Sequence, residues 1–289
     1  TAIEKKTSRG EKLSKEELFF LYEMDAPIEG FGYQRDSRIV ELRNARNPEE
    51  DMVVLFECAL KQIAHTPDQI TEDTKEYVGP IVRTVFNERA DREEVTPEYR
   101  NIFKKLAHIE HVYTSFPEGR IRKETIEIGG KDAKALIKEL RGKKINIGGD
   151  VEYTMTESKT QKGERAFPTL EKAESEILIR LKVGDLGFPR NKYLTTDEIY
   201  QRIEELGLEL CPAETGPRYR LQYANQPLNE WLWIGMKQIS ARGGYPSVFC
   251  LARDGDGLWL HLRWTYPGRE WDPDSEFVFR LRKLKNLKT

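Results

Sequence analysis

The chain of 289 residues carries 47 Lys and Arg against 49 Asp and Glu, a formal charge of -2. That balance excludes a protein that coats nucleic acid by bulk charge, while leaving room for a local basic patch. Hydrophobic residues make up 38% and include 12 Phe, 12 Tyr and 5 Trp, which excludes disorder of the whole chain, and the length predicts two or three domains.

Thr1 to Lys15 is polar and lacks a signal-peptide apolar core, so residues 1–13 read as a flexible tail. Residues 14–116 read as a mainly helical region. Ser14 with Glu17 forms a capping box ahead of Leu18, Leu21 and Tyr22. Pro27, Gly30 and Gly32 mark a loop. Asn47-Pro48 supplies a cap and a first-turn proline before the apolar stripe Met52, Val53, Phe56, Leu60 and Ile63, although Val53–Phe56 also suits a buried strand. Pro97 opens a further helix carrying Tyr99, Ile102, Phe103, Leu106 and Ile109.

Residues 117–189 read as a small β-α-β region. Strands are predicted at Thr125–Ile128 and Lys144–Ile147, with a helix at Asp132–Arg141 between them. Thr154 to Arg165 reads as a mobile surface segment. The alternation of Ile177, Ile179, Leu181 and Val183 predicts a strand.

Residues 190–283 hold all five tryptophans and read as one helix leading into an antiparallel sheet, so the fold class is α+β. Thr195 with Glu198 caps the helix, and Gly207 ends it. Strands are predicted at Arg218–Tyr223, Glu230–Gln238, Ser247–Arg253, Leu258–Trp264 and Phe277–Leu281. Asp254-Gly255-Asp256-Gly257 suits a hairpin turn. Residues 284–289 form a basic tail.

Cys58, Cys211 and Cys250 are odd in number and far apart. They make no C-x-x-C pair and no disulfide framework, so free thiols in a reducing cytoplasm are expected. No apolar run reaches the ~18 residues of a membrane helix, and no membrane partner is expected. No cofactor motif is complete.

The stretches EGFGYQRDSRI, YTSFPEGRIRKETIEIGGK, RLKVGDLGF and TTDEIYQRIEELGLELCPAETGPRYRLQY resemble a family of uncharacterised proteins from small-genome bacteria of the candidate phyla. The likeness spans most of the chain. It implies that these segments travel together, and it implies no activity, cofactor or catalytic residue.

Five constellations could carry chemistry. His108 and His111, at i and i+3, could share a helix face and hold a metal, but no third ligand is near in sequence and exposed histidines are the plainer reading. Asp254-Gly-Asp-Gly fails the calcium-loop pattern at Ala252 and Arg263. Cys211 with His261 could form a nucleophile and its base, although Cys211 between Leu210 and Pro212 also suits a packed small residue. Gly129-Gly130 before a helix lacks both phosphate-loop patterns. Finally, period-2 alternation puts Trp231 and Trp233, then Trp259, His261 and Arg263, and then Arg218 and Arg220, opposite the leucine-bearing faces. If the leucines pack inward, a Trp/Arg face stays open to a partner. The alternative is that the 196–206 helix or another domain covers it.

The expected function is therefore a non-catalytic binding or accessory protein that contacts a protein partner through this face. A hydrolase centred on Cys211/His261 or His108/His111 is one alternative. A nucleic-acid-binding protein is the other.

Overall fold

The computed structural model describes residues 2–24, 36–89, 92–160, 162–164, 167–189 and 191–282. The loop marked by Pro27, Gly30 and Gly32, the end of the polar segment at Arg165 and the basic tail 284–289 lie outside the described residues. The architecture is mixed α and β. The chain divides into two compact units, Thr1–Pro80 with His108–Arg120, and Ile81–Ala107 with Ile121–Thr289.

In the first unit, the helices are Ala2–Ser8, Lys15–Leu21, Ser37–Asn44 and Pro48–Leu55. The Ser14 capping box forms, satisfying helix amides that have no partner within the helix. Asn47 caps the fourth helix by accepting from the Glu49 amide at 3.1 Å, and Val53–Leu55 is helical, so the strand reading of that stretch falls. Residues 2–8 are helical rather than a loose tail, and Lys6 Nζ donates to Glu17 at 2.8 Å. Leu18, Leu21, Tyr22, Ile39 and Leu55 form the helical core. The unit also holds a parallel sheet that the helical reading of this region omitted. Strand Glu76–Val78 lies between Ile63–Ala64 and His111–Tyr113.

That sheet buries a carboxyl. Glu76 is 0% exposed, and neither carboxyl oxygen has a hydrogen-bond partner among the described residues, nor does the buried Tyr113 hydroxyl. Its register neighbours are Ile63 and His111. Burial pushes the carboxyl pKa up from 4.5 to about 9, with Glu110 adding to the rise and Lys75 opposing it. A carboxylate placed here would be desolvated without compensation, so the acid stays neutral at pH 7.

The second unit is organised by one mixed sheet. Its strand order is Arg120–Ile128, Glu174–Lys182, Glu276–Leu281, Trp231–Ile234, Pro246–Asp254, Gly257–Trp264 and Asn146–Ile147. Two pairings are parallel, Trp231–Ile234 with Glu276–Leu281 and Gly257–Trp264 with Asn146–Ile147. The sheet is thus not the purely antiparallel one expected. The two strands of the expected β-α-β pattern stand at opposite ends of this order, joined by the helix Ala133–Gly142, and do not pair. Ile126, Leu136, Leu140, Tyr219, Leu232, Leu251, Leu260 and Val278 share one core cluster, packing Ala133–Gly142 and Thr215–Gln222 against one face of the sheet. Phe277 and Phe279 alternate with Val278, so they point the other way, where Tyr200 of helix Thr196–Glu205 meets Phe279 edge-on at 6.3 Å.

Two sequence expectations fail locally. The helix expected from Pro97 is only Ile102–Lys105, continued by the tight turn Leu106–His108. The mobile segment begins inside a helix, Val151–Thr156.

Arg180 ties the sheet together. Its guanidinium donates to Glu276 at 2.6 and 2.7 Å and to the Tyr223 hydroxyl at 2.8 Å, and it pairs with Glu230. Burial alone would lower its pKa, and the two carboxylates more than reverse that.

Two outcomes are expected. Below pH 4.5 Glu76 is protonated in both the folded and unfolded chain. Between about 4.5 and 9 only the unfolded chain releases the proton, so stability is full in acid, falls across that window and levels off above it. Glu76→Gln removes this slope. At pH 8 it should be more stable than the parent by about 5 kcal/mol at most, and so melt higher, and at pH 4.5 the two should coincide. Thermal melts followed by circular dichroism check this, and a parent melting temperature that does not change from pH 5 to 8 contradicts it. Arg180→Met leaves Glu230 and Glu276 facing each other without their cation, and should cost ~3–5 kcal/mol in urea unfolding.

Candidate functional site

Strand register assembles an aromatic face. Trp231 lies opposite Ala252, which lies opposite Trp259. Trp233 lies opposite Cys250, which lies opposite His261. The small residues of the middle strand leave room for the large rings on either side to lean toward each other. The Trp259 and His261 rings stack at 5.0 Å with 9° between their planes, and His261 stacks on Trp231 at 5.8 Å and 12°. Trp231 continues to Trp233 at 6.5 Å, and Trp233 meets Trp271 edge-on at 4.6 Å.

Two guanidiniums lie on this ladder. Arg263 sits 5.3 Å from the Trp231 ring centre. Arg269 sits 4.9 Å from Trp233 and 4.2 Å from Trp271. Such contacts contribute roughly 0.5–2 kcal/mol each. Burial lowers the Arg269 pKa, and Arg263 nearby lowers it further. His261 is also held below its ordinary value, first by burial and then by Arg263, so the ring is neutral at pH 7.

The face has a closed end and an open end. Trp271 is 3% exposed and donates its indole N–H to the Thr196 hydroxyl at 2.9 Å, so helix Thr196–Glu205 closes that side. Trp231 is 43% exposed, Arg263 is exposed, and Trp233, Trp259 and His261 are half-buried. Asp254 fixes the outer ring, accepting from Trp259 Nε1 at 2.8 Å and from the Asp256 amide at 2.9 Å. Gly148 explains its own residue type here. A Cβ at that position would stand 3.0 Å from His261 Nδ1.

Other sequence candidates land elsewhere. Arg218 and Arg220 lie not on a strand but on helix Thr215–Gln222 and do not join the face. Pro217 in the first turn needs no amide partner, and Tyr219 stacks on Tyr223 one turn later at 5.5 Å. Arg220 is fully buried against Gln226 and the Tyr223 carbonyl, and Arg218 donates to the Gly129 carbonyl. Cys211 belongs to the core cluster on the leucine face, whereas His261 points to the opposite face. Its thiol donates to the Val278 carbonyl at 3.6 Å, and burial pushes its pKa far up, so no thiolate–imidazole dyad is assembled. His108 ends a tight turn with Nε2 3.0 Å from the Thr71 carbonyl, and His111 begins a strand stacked on Phe56 at 4.3 Å. They share no helix face, and among the described residues no group of three or more His, Cys, Asp or Glu is placed to hold a metal.

The glycine loop is occupied by the protein itself. The Gly129 amide donates to Glu214 and the Gly130 amide to the Leu170 carbonyl, leaving neither for a phosphate. Asp254-Gly-Asp-Gly is the hairpin turn its composition suggests, with Asp254 opposite Gly257.

Sequence reasoning missed Arg269, Trp271 and Gly148. Arg269 follows the strand in a loop, where period-2 alternation says nothing. Trp271 pairs away from the main sheet, on Thr195 and Leu194. Gly148 is recognisable only once His261 is known to stand beside it. No protein-family model, no curated protein and no solved structure matches this chain.

All three thiols are buried, and burial raises the pKa of each. The native chain should therefore react with Ellman's reagent at least ~100-fold more slowly than the denatured chain, which should titrate three thiols. Rapid labelling of native Cys211 would restore the nucleophile reading.

Proposed function

We propose that this protein is a non-catalytic binding protein whose second unit docks a protein partner on the face formed by Trp231, Trp233, Trp259, His261, Arg263 and Arg269. One observation carries the reading. Near-parallel rings at Trp259, His261 and Trp231 extend to the open side of a sheet, with Arg263 lying on Trp231, the most exposed of them. Aromatic and arginine side chains held rigidly by a sheet lose little entropy on contact and are the residue types that dominate interface energetics. The chain's near-neutral charge favours a protein over a polyanion as the occupant.

The rings also have a folding role to be set aside. Trp271 is structural, since its indole N–H is satisfied within the unit. Trp231 is the discriminating residue because its exposure lets it be truncated without opening a core.

With a partner recovered on the immobilised full chain, titration calorimetry should show Trp231→Ala weakening binding at least ~30-fold, the scale of a hot-spot residue. Leu228→Ala, a comparably exposed apolar residue before the strand, should leave affinity within ~2-fold. Equal affinities for parent and Trp231→Ala would refute the site.

A further inference from the structure

The charge arrangement on the aromatic face narrows what it takes. Arg263 stands close enough to Arg269 to disfavour its charge, yet among the described residues neither makes an ion pair with a carboxylate. Three other arginines of the unit are matched with acids. Arg180 has Glu230 and Glu276, Arg202 has Glu205, and Arg280 has Glu176 and Glu209. Asp254, which lies at the Trp259 end of the face, is engaged by Trp259 and the turn. Both guanidiniums are laid on indoles before any ligand arrives: Arg263 is exposed, Arg269 is half-buried and donates one N–H to the Trp264 carbonyl, and neither has an internal acceptor of opposite charge.

Resting on the binding role proposed above, we propose that the partner presents an acidic segment: an apolar or aromatic side chain seated on the Trp231–His261–Trp259 rings, with an Asp or Glu carboxylate reaching Arg263 and Arg269. Charge complementarity commits the face to an anion. The modest number of cations commits it to one or two carboxylates rather than a phosphodiester chain. A polyanion needs a run of positive side chains along its path, and here Asp254 and Asp256 flank the outer ring. A peptide carboxylate matches the arginine fork in a two-pronged geometry that desolvated guanidiniums favour. The aromatic residue beside it covers the rings and excludes water from the ion pair.

The test uses the 289-residue chain and four fluorescein-labelled probes read by anisotropy at about 50 mM salt. One is a 12-residue peptide alternating Trp or Phe with Glu. The second carries Gln for Glu, the third carries Lys for Glu, and the last is a 12-nucleotide oligo-dT. The acidic peptide should bind at least ~10-fold tighter than the Gln peptide and lose most of that advantage at 500 mM salt. Arg263→Glu should abolish the preference and turn it toward the Lys peptide. Arg269→Met, which keeps the apolar stem over the indoles, should weaken the acidic peptide ~5-fold or more without altering the Gln peptide. Equal binding of acidic and Gln peptides, with loss of both in Trp231→Ala, overturns the acidic segment and leaves the docking face standing. Binding of any probe that is indifferent to Trp231→Ala overturns both. Tighter binding of oligo-dT through Trp231 and Arg263 replaces the peptide with single-stranded nucleic acid, and failure of the acidic peptide to bind refutes the proposal.

Discussion

The buried guanidinium of Arg180 is the interaction on which the second unit is arranged. It grips Glu276 at the start of one strand, Glu230 immediately before another, and Tyr223 just past the end of a helix. A charge removed from water is tolerable only when it is nearly fully coordinated. Those three segments must therefore meet at one point, which sets where the chain enters the Trp231 strand. The Tyr223 hydroxyl in turn donates to Glu230 at 2.8 Å, so the acid that positions Trp231 is held from two sides. The order of the aromatic face follows from that anchoring together with the small residues Ala252 and Cys250 beneath the rings.

The two faces of this sheet show how one strand period can build two different surfaces. Leu232, Leu251 and Leu260 enter a closed core under two helices. On the two flanking strands the residues that alternate with Leu232 and Leu260 are large and amphipathic, and their rings stack on each other over the small residues of the middle strand. Indole and imidazole rings tolerate this position because they carry a polar edge beside an apolar face: Asp254 accepts the Trp259 N–H while the ring faces stack on their neighbours. The first unit takes the opposite course with Glu76, which is enclosed by the sheet and kept neutral rather than paired.

Much of this was legible in the sequence wherever a local rule and the tertiary environment agree. Ser14 and Thr195 cap helices because their side chains reach amides three residues on. The hairpin Pro246–Asp254 and Gly257–Trp264 forms where alternation and turn chemistry coincide. The face itself was visible as alternation around Trp231, Trp259 and His261. Arg218 and Arg220 misled because RYRLQY alternates like a strand. The preceding Thr-Gly-Pro begins a helix whose Tyr219 and Tyr223 stack only when one turn separates them. The parallel strands Ile63–Ala64 and Glu76–Val78 are too short for periodicity to register. Pairing of Arg120–Ile128 with Glu174–Lys182 depends on contacts across about fifty residues, which no local pattern encodes.

The position of Glu276–Leu281 governs the order in which the molecule can be made. It is the last of the described strands to be synthesised, yet it stands in the interior of the sheet, between Glu174–Lys182 and Trp231–Ile234. While a nascent chain is still on the ribosome, those two flanking strands have no neighbour at their facing edges, and Arg180 has no Glu276. Local hairpins such as 246–264 can close early, but the sheet that joins them waits until residues 276–281 have emerged. Until then two apolar strand edges are open to any other unfinished chain, so quality control during translation bears on this unit more heavily than on one whose central strands come first.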